Sequence, residues 1–418
     1  MELQPRSREQ IIRLIKKGVD IPNPLTLDIG GEINIDRISD AGVKIYPGCR
    51  IYGEKTVIAA GVQIGAEGPV TIDNCQIGPD VELKGGYFKQ SIFLEKAKMG
   101  LGAHVREGCI LEEEANGAHC VGLKQTILFP FVTLGSLINF CDCLMAGGTS
   151  RKDHSEVGSS YIHFNFTPDG NKTTPSLIGD VQRGVMLNQP LIFLGGQGGM
   201  VGPLRLGYGA VVAAGSILRH DVPEDNKMII GKAPVGKVLN ITPGSYKNIS
   251  RVIQNNFLYL ANLTALERWY AKVRKLFFKE QEFGEFMYDG LMDKISSAKK
   301  ERTKRLEAMA IKIDDSMRTH GTNRKASNGK QEFVDNREKI SSLFLVSEES
   351  EQESDFCHQF LDGFRKHKEK HGGGYINIIQ SLPAGVSEKG VRWLNQVIEN
   401  RCQNAAALVP GLKLFKKQ

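Results

Sequence analysis

"VIAAGVQIGAEGPV", residues 57–70, carries Ile58, Ile64 and Val70 at intervals of six, with the small residues Ala59 and Gly65 after the first two. The same beat runs outward from this stretch. Ile45 leads to Ile51 before it, and Ile77 to Leu83, Met99 to Val105 to Leu111, Val121 to Ile127, Leu128 to Leu134 to Phe140, and Leu206 to Val212 to Leu218 follow it. A period of six fits neither the 3.6 of a helix nor the alternation of one long strand. It fits strands of about two to four residues joined by tight turns, each presenting one inward aliphatic, so that three strands close one coil of a triangular prism. Small residues after the aliphatic let the backbone turn the corner without steric conflict. An antiparallel sandwich would instead space its turn signals roughly 8–12 residues apart, with drifting phase. The expected architecture is mainly β: a parallel β-helix over residues 27–242, followed by an α-helical region over 243–418.

The flanks support this division. "SREQIIRLIKKG", 7–18, reads as a short helix within an N-terminal segment 1–26, with Ile11, Ile12 and Ile15 on one side, Ser7 as N-cap and Gly18 as stop. After residue 242, Ile249, Val252, Ile253, Phe257, Leu260 and Leu263, then Leu266, Tyr270, Val273 and Phe277, follow the three-and-four spacing of a long amphipathic helix. A second helix is expected over 283–313, a flexible linker near 316–332, and a third helix over about 333–369. "HGGG" at 371–374 breaks that helix, and a last one follows from Ser387. The basic run "KKERTKR", 299–305, has acidic residues nearby and reads as a solvated helix face.

The 418 residues, 41% of them hydrophobic, can bury more than one core. The charge of +7 suits an anionic ligand such as a phosphorylated metabolite and is too mild to argue for nucleic acid. Eight cysteines without a disulfide-framework spacing, a non-signal N-terminus and no apolar run of the roughly 18–20 residues of a membrane span point to a cytoplasmic setting. Cys141 and Cys143 lack zinc-site spacing, His104 and His119 read as surface residues, and no metal is expected.

Residues 147–172, "GGTSRKDHSEVGSSYIHFNFTPDGNK", interrupt the beat with a polar stretch, and an inserted loop is expected over 147–177. There the sequence resembles a known family. "VTLGSLINFCDCLMAGGTSRKDHSEVG", "FNFTPDGNKTTPSLIGD" and "LGYGAVVAAGSILRHDVPEDNKMIIGKAPVG" follow in the order seen in the acetyltransferase half of bacterial N-acetylglucosamine-1-phosphate uridyltransferase/glucosamine-1-phosphate acetyltransferase. That half is a hexapeptide-repeat, left-handed β-helix, and the likeness covers roughly 121–236. The resemblance implies side-by-side homotrimers, His154 as general base, Asn165 on the sugar and Lys172 at the end of the loop. It implies further that coenzyme A lies along the coils of Gly207 to Gly215, including Ala213, with Lys232 in place of a late arginine. Val157 stands where the family has a tyrosine, and Leu144 where it has a phosphate-gripping lysine.

The chemistry asked of these residues is acyl transfer from acetyl-CoA, or another acyl-CoA, to an amino or hydroxyl group of a phosphorylated or nucleotide-linked amino sugar. A histidine near neutrality can take the acceptor's proton. Lys152 and Lys172 suit a phosphate. Asn165 and Asp169 serve either as substrate ligands or as turn formers, and the glycines 195, 196, 198 and 199 either cradle a ligand or turn a solenoid corner. The alternative is a non-catalytic solenoid that binds a UDP-N-acetylglucosamine-like ligand or organises a protein partner through 243–418. Nucleotidyl transfer would need a glycine-rich α/β domain that the 26 residues before the repeats do not contain.

Overall fold

The computed structural model of the chain describes residues 5–165, 167, 170–231, 236, 238, 240, 242, 244–246, 249–320, 324–346 and 354–415. From Asp28 to Ile229 the backbone winds as a three-walled parallel solenoid. Lys98 pairs with Asn116, 18 residues on, and Asn116 with Thr133, 17 on. One six-residue beat is therefore one wall, and three make a coil. The first wall is a sheet of 10 strands from Lys44–Ile45 to Met228–Ile229. The second starts at Asp28–Ile29, the third at Val57–Ile58, and the seven-residue strands Gly122–Leu128 and Asn139–Met145 run round the corner between them. The second residue of each two-residue wall strand points inward, so that Ile45, Ile64, Leu83 and Met99 fill the prism, all fully buried.

Many corners are not glycine. Asp80, Lys96 and Glu114 stack along the edge between the third and first walls with φ of 55°, 59° and 59°. Left-handed backbone costs an L-residue about 1–2 kcal/mol. Here each corner N–H donates to the coil before it, Asp80 to the Ala60 carbonyl, Lys96 to Pro79 and Glu114 to Glu95, all at 2.9 Å, which holds the conformation. The N-terminal helix spans Arg8–Lys17 and ends on Gly18 at φ 115°, as expected. Ser7 does not cap it: its hydroxyl donates to the Ile29 carbonyl at 2.6 Å and accepts the Ile29 N–H at 2.9 Å, closing the open edge of the first coil. Ile11 and Leu14 are the buried pair, whereas Ile12 and Ile15 face solvent.

The third wall differs from the other two. Its outward residues Val57, Ile92, Ile110, Ile127, Leu144 and Leu177 are as buried as their inward neighbours, at 0–4% exposure. The helical region covers them. Gly284–His320 lies on Gln76–Ile77 and Ile92–Phe93, and Ser250–Trp269 on Ser176–Ile178. Ser250–Trp269 is buried on almost every side rather than amphipathic. Its asparagines meet the solenoid: Asn256 donates to the Thr173 carbonyl at 3.0 Å, and Asn262 accepts the Val181 N–H at 3.0 Å. A single π-helical turn, Tyr270–Arg274, continues it. Tyr270 donates to Glu112, and Arg274 pairs with Glu113 at 2.5 Å while its guanidinium lies 3.7 Å from the centre of the Tyr375 ring.

The basic run at 299–305 is solvated on one side only, with Lys300 and Lys304 exposed and Lys299 and Arg302 buried. The Lys299 side chain, 3% exposed, pairs with Glu267 at 2.8 Å, and that of Arg302, also 3% exposed, pairs with Asp142 at 2.7 Å. The stretch 316–332 is helical on both sides of 321–323, within Gly284–His320 and Arg324–Asp335. The helix expected over 333–369 is divided among Arg324–Asp335, Arg337–Leu345 and Asp355–His371. Glycines 372–374 then separate Asp355–His371 from Tyr375–Gln380.

Candidate functional site

After Met145 the chain leaves the edge between the third and first walls as a β-hairpin, Gly148–Ser150 against Asp153–His154, the antiparallel pair of an otherwise parallel fold among the described residues. Gly148, at φ 93°, must be glycine: a Cβ there would stand 2.5 Å from the His154 Cα. One guanidinium nitrogen of Arg151, Nη1, holds the hairpin to the coils before it, its two hydrogens shared among the carbonyls of Glu114 (3.1 Å) and Phe131 (2.7 Å) and the hydroxyl of Thr133 (2.8 Å). Thr149 donates to Asp153 at 2.8 Å, and Gln380 of the helical region donates to the Thr149 carbonyl at 2.6 Å.

This frame orients the imidazole. His154 Nδ1 lies 3.0 Å from the Arg151 carbonyl, and the side chain is 20% exposed. A carbonyl only accepts, so Nδ1 carries the hydrogen and a neutral His154 keeps its lone pair on Nε2. Glu156 Oε2 stands 3.9 Å from Nε2. Lys152 is exposed at the tip of the same hairpin.

Part of the expected insertion is wall. Glu156–Val157 pairs with Thr133–Leu134 on one side and Phe193–Leu194 on the other, and Ile162–Phe164 pairs with Gly199–Val201. A second excursion runs from Phe164 to Ser176, off the edge between the second and third walls. It carries Asn165, half-buried, and Lys172, exposed, and the helical region pins it. Arg302 donates to the Lys172 carbonyl at 2.9 Å, Lys312 to that of Gly170 at 3.0 Å, and Asn171 to the Tyr246 hydroxyl at 2.9 Å. Within one chain, His154 and Lys152 come together, and Asn165 and Lys172 stand at a different edge. Asp169 and Lys232 lie outside the described residues.

Gly207 is on the His154 edge, two coils further on, with its N–H on the Val222 carbonyl at 2.9 Å and a wall of a cavity of about 490 Å³. Ala213 is at the next edge, its N–H on the Ile229 carbonyl at 2.9 Å. The glycines 195–199 turn corners: a Cβ on Gly195 would stand 2.4 Å from the Ala214 nitrogen, and one on Gly196 2.7 Å from the Ser159 oxygen. Leu144 is buried on the third wall, so no side chain grips phosphate from that position. His163, the second histidine of the stretch, is buried and meets the Ser176 hydroxyl at 2.8 Å. Burial, aided by the Arg302 charge, pulls its pKa down to about 4. Sequence reasoning missed Arg302 and Gln380, because both reach the site from helices far along the chain.

No family model matches the chain. The bifunctional protein GlmU of Thermotoga maritima is 30% identical over 226 residues, 53% of this chain and 44% of that protein. The bifunctional protein GlmU of Fervidobacterium nodosum is 28% identical over 235 residues, 56% of this chain and 46% of that protein. That of Stutzerimonas stutzeri is 28% identical over 217 residues, 50% and 41%. The match thus spans less than half the length of each of these relatives. Together with the parallel solenoid, the likeness fits the left-handed β-helical, hexapeptide-repeat half of GlmU-like proteins.

Proposed function

We propose that the chain is an acyl-CoA-dependent acyltransferase that uses acetyl-CoA to acylate an amino or hydroxyl group of a phosphorylated or nucleotide-linked amino sugar, with His154 as general base. The observation that carries this reading is the imidazole itself, tied through Nδ1 to a backbone carbonyl, with Nε2 free to accept and the Glu156 carboxylate 3.9 Å from it. Nε2 takes the proton from the acceptor N–H or O–H as that atom attacks the thioester carbonyl. The new C–N or C–O bond forms, the C–S bond breaks, and the imidazolium returns the proton to the departing thiolate of coenzyme A. Glu156 stabilises the charged imidazole between these steps. Lys152 meets the substrate phosphate, and Gly207 and Ala213 offer backbone at the corners along which the donor lies.

A homotrimer belongs to this reading. Asn165 and Lys172 act on the same substrate as His154 only if a neighbouring copy supplies one of the two edges. The last coils support such a contact with outward apolar residues, Ile162 (41% exposed), Phe164 (40%) and Ile217 (42%) on the second wall and Val211 (38%) and Met228 (70%) on the first. The first wall of the early coils shows Lys44, Gln63 and Glu82 instead.

The test is turnover of acetyl-CoA with glucosamine 1-phosphate and UDP-linked amino sugars, alongside sedimentation. His154→Ala is expected to lose about 10²–10⁴-fold in rate with an unchanged melting temperature; full activity in that variant removes the base. A second reading, a sugar-nucleotide-binding scaffold, is favoured by Leu144 in the place of the phosphate-gripping lysine. It prevails if UDP-N-acetylglucosamine binds but no acyl acceptor turns over.

A further inference from the structure

The cavity beside Gly207 is enclosed by two layers. Leu177 and Leu206 of the solenoid form one side, and Leu258, Ile398 and Cys402 of helices Ser250–Trp269 and Ala384–Ala407 the other. Its volume of about 490 Å³ lies in the range of small-molecule sites. Eight of its seventeen lining residues come from beyond residue 243, outside the hexapeptide-repeat likeness.

Four charged residues line this space, Asp180, Arg183, Arg205 and Glu399, and Arg205 stands in the apolar column of the third wall. Along the outward column of the third wall, Ile127 is followed by Leu144, Leu144 by Leu177, and Leu177 by Arg205. The guanidinium of Arg205 donates no hydrogen bond among the described residues, and its Nε is buried without a partner. Its nearest carboxylate, Asp221, is 4.0 Å away. Asp221 already accepts the Arg205 backbone N–H at 3.1 Å and Asn255 at 3.1 and 3.2 Å, and Arg251 stands 3.4 Å from it. Arg183, the other arginine of the cavity, is saturated by Asp180 at 2.6 Å and Asp225 at 2.5 Å. Gln182 Oε1, at the same wall, is also buried without a partner. The Arg205 side chain, 27% exposed, lines the cavity, and its terminal nitrogens are the donors left for a molecule inside it.

We propose that this cavity is a binding site for a small amphipathic anion, a carboxylate or phosphate monoester that accepts from Arg205, with its apolar body along Leu206, Leu258 and Ile398. Because the two sides belong to the solenoid and the helical region, the bound molecule fastens one to the other. The site shares Gly207 with the path proposed for the acyl donor but takes its charge from Arg205, which the acyl-transfer reading does not use.

The experiment is calorimetric titration and thermal melting of the full chain with octanoate and octyl phosphate, against octylamine and octanol as charge controls. The expected result is saturable binding of octanoate or octyl phosphate near one per chain, with a raised melting temperature, and no comparable binding of octylamine or octanol. Which of the two anions binds more tightly identifies the head. Arg205→Gln is expected to weaken it at least tenfold and Arg205→Lys to retain most of it. Should Arg205→Gln fail to fold, Leu258→Phe narrows the apolar end and weakens binding without touching the charge. Equal binding of octylamine and octanoate, unchanged affinity in a folded Arg205→Gln protein, or no saturable binding of any probe overturns the proposal.

Discussion

Replacing Arg302 by methionine tests how the helical region holds both the solenoid and the Lys172 loop. The Arg302 side chain is 3% exposed; one nitrogen donates to Asp142 Oδ1 at 2.7 Å and another to the Lys172 carbonyl at 2.9 Å. Burial already pushes the Asp142 carboxyl above its ordinary range, in spite of the arginine's charge. Without that charge the carboxylate, 6% exposed, has two outcomes. It stays ionised and uncompensated, which costs about 3–5 kcal/mol, or it takes up a proton. From the ordinary value of 3.8, protonation at pH 7 costs at most about 4 kcal/mol. The carbonyl bond to Lys172 adds about 1 kcal/mol. A loss of about 4 kcal/mol is therefore expected at pH 7, and less at pH 5, where protonation is easier. Urea unfolding followed by tryptophan fluorescence reads this selectively, since Trp269 and Trp393, the chain's two tryptophans, are both buried in the helical region. Adding Asp142→Asn to Arg302→Met removes the stranded charge and is expected to recover at least about 2 kcal/mol. A shift below about 1 kcal/mol for Arg302→Met, or no recovery in the double variant, would refute the account of this pair as a charge-compensating clamp.

Other consequences follow from the same structure. His163, held near pKa 4 when folded against about 6.5 unfolded, stabilises the fold fully above pH 6.5. That contribution, roughly 3 kcal/mol at most, disappears as pH falls from 6.5 towards 4, and His163→Gln should flatten this part of the stability profile relative to the parent. Arg151→Ala removes the two N–H donors of Nη1, shared among three acceptors and worth about 1 kcal/mol each. Amide exchange over 148–154 should accelerate about 30-fold, with little change elsewhere. On the covered third wall, Ile110→Ala is expected to cost about 2–5 kcal/mol, whereas Ile311→Ala, at a position 57% exposed, stays within about 0.5 kcal/mol. Equal losses at the two positions in denaturant melts would contradict the covered-wall architecture.

The six-residue beat was legible because it is a local matter. One inward aliphatic per short strand follows from strand length and corner geometry alone, and Ile45, Ile64 and Leu83 mark it without reference to anything distant. The candidate base was legible through ordered likeness around His154, though the hairpin that orients it was not. A further signal lay unread in the apolar doublets Val57-Ile58, Ile92-Phe93, Ile110-Leu111 and Ile127-Leu128, which stand where the first wall has Lys44-Ile45 or Glu82-Leu83. A doublet says that both sides of a wall are dry; it does not say what covers the outer one.

The sequence by itself therefore determined the coil, its three walls and the place where the repeat breaks. Tertiary structure decided that helices cover one wall, that Lys299 and Arg302 are buried rather than solvated, and that the two excursions leave the prism at different edges. The reason is range. Corner and strand geometry are set by residues within one beat, while Arg302 meets Asp142 across 160 positions and Gln380 meets Thr149 across 231. Such partners become neighbours only once the coils have been wound and the helices laid against them.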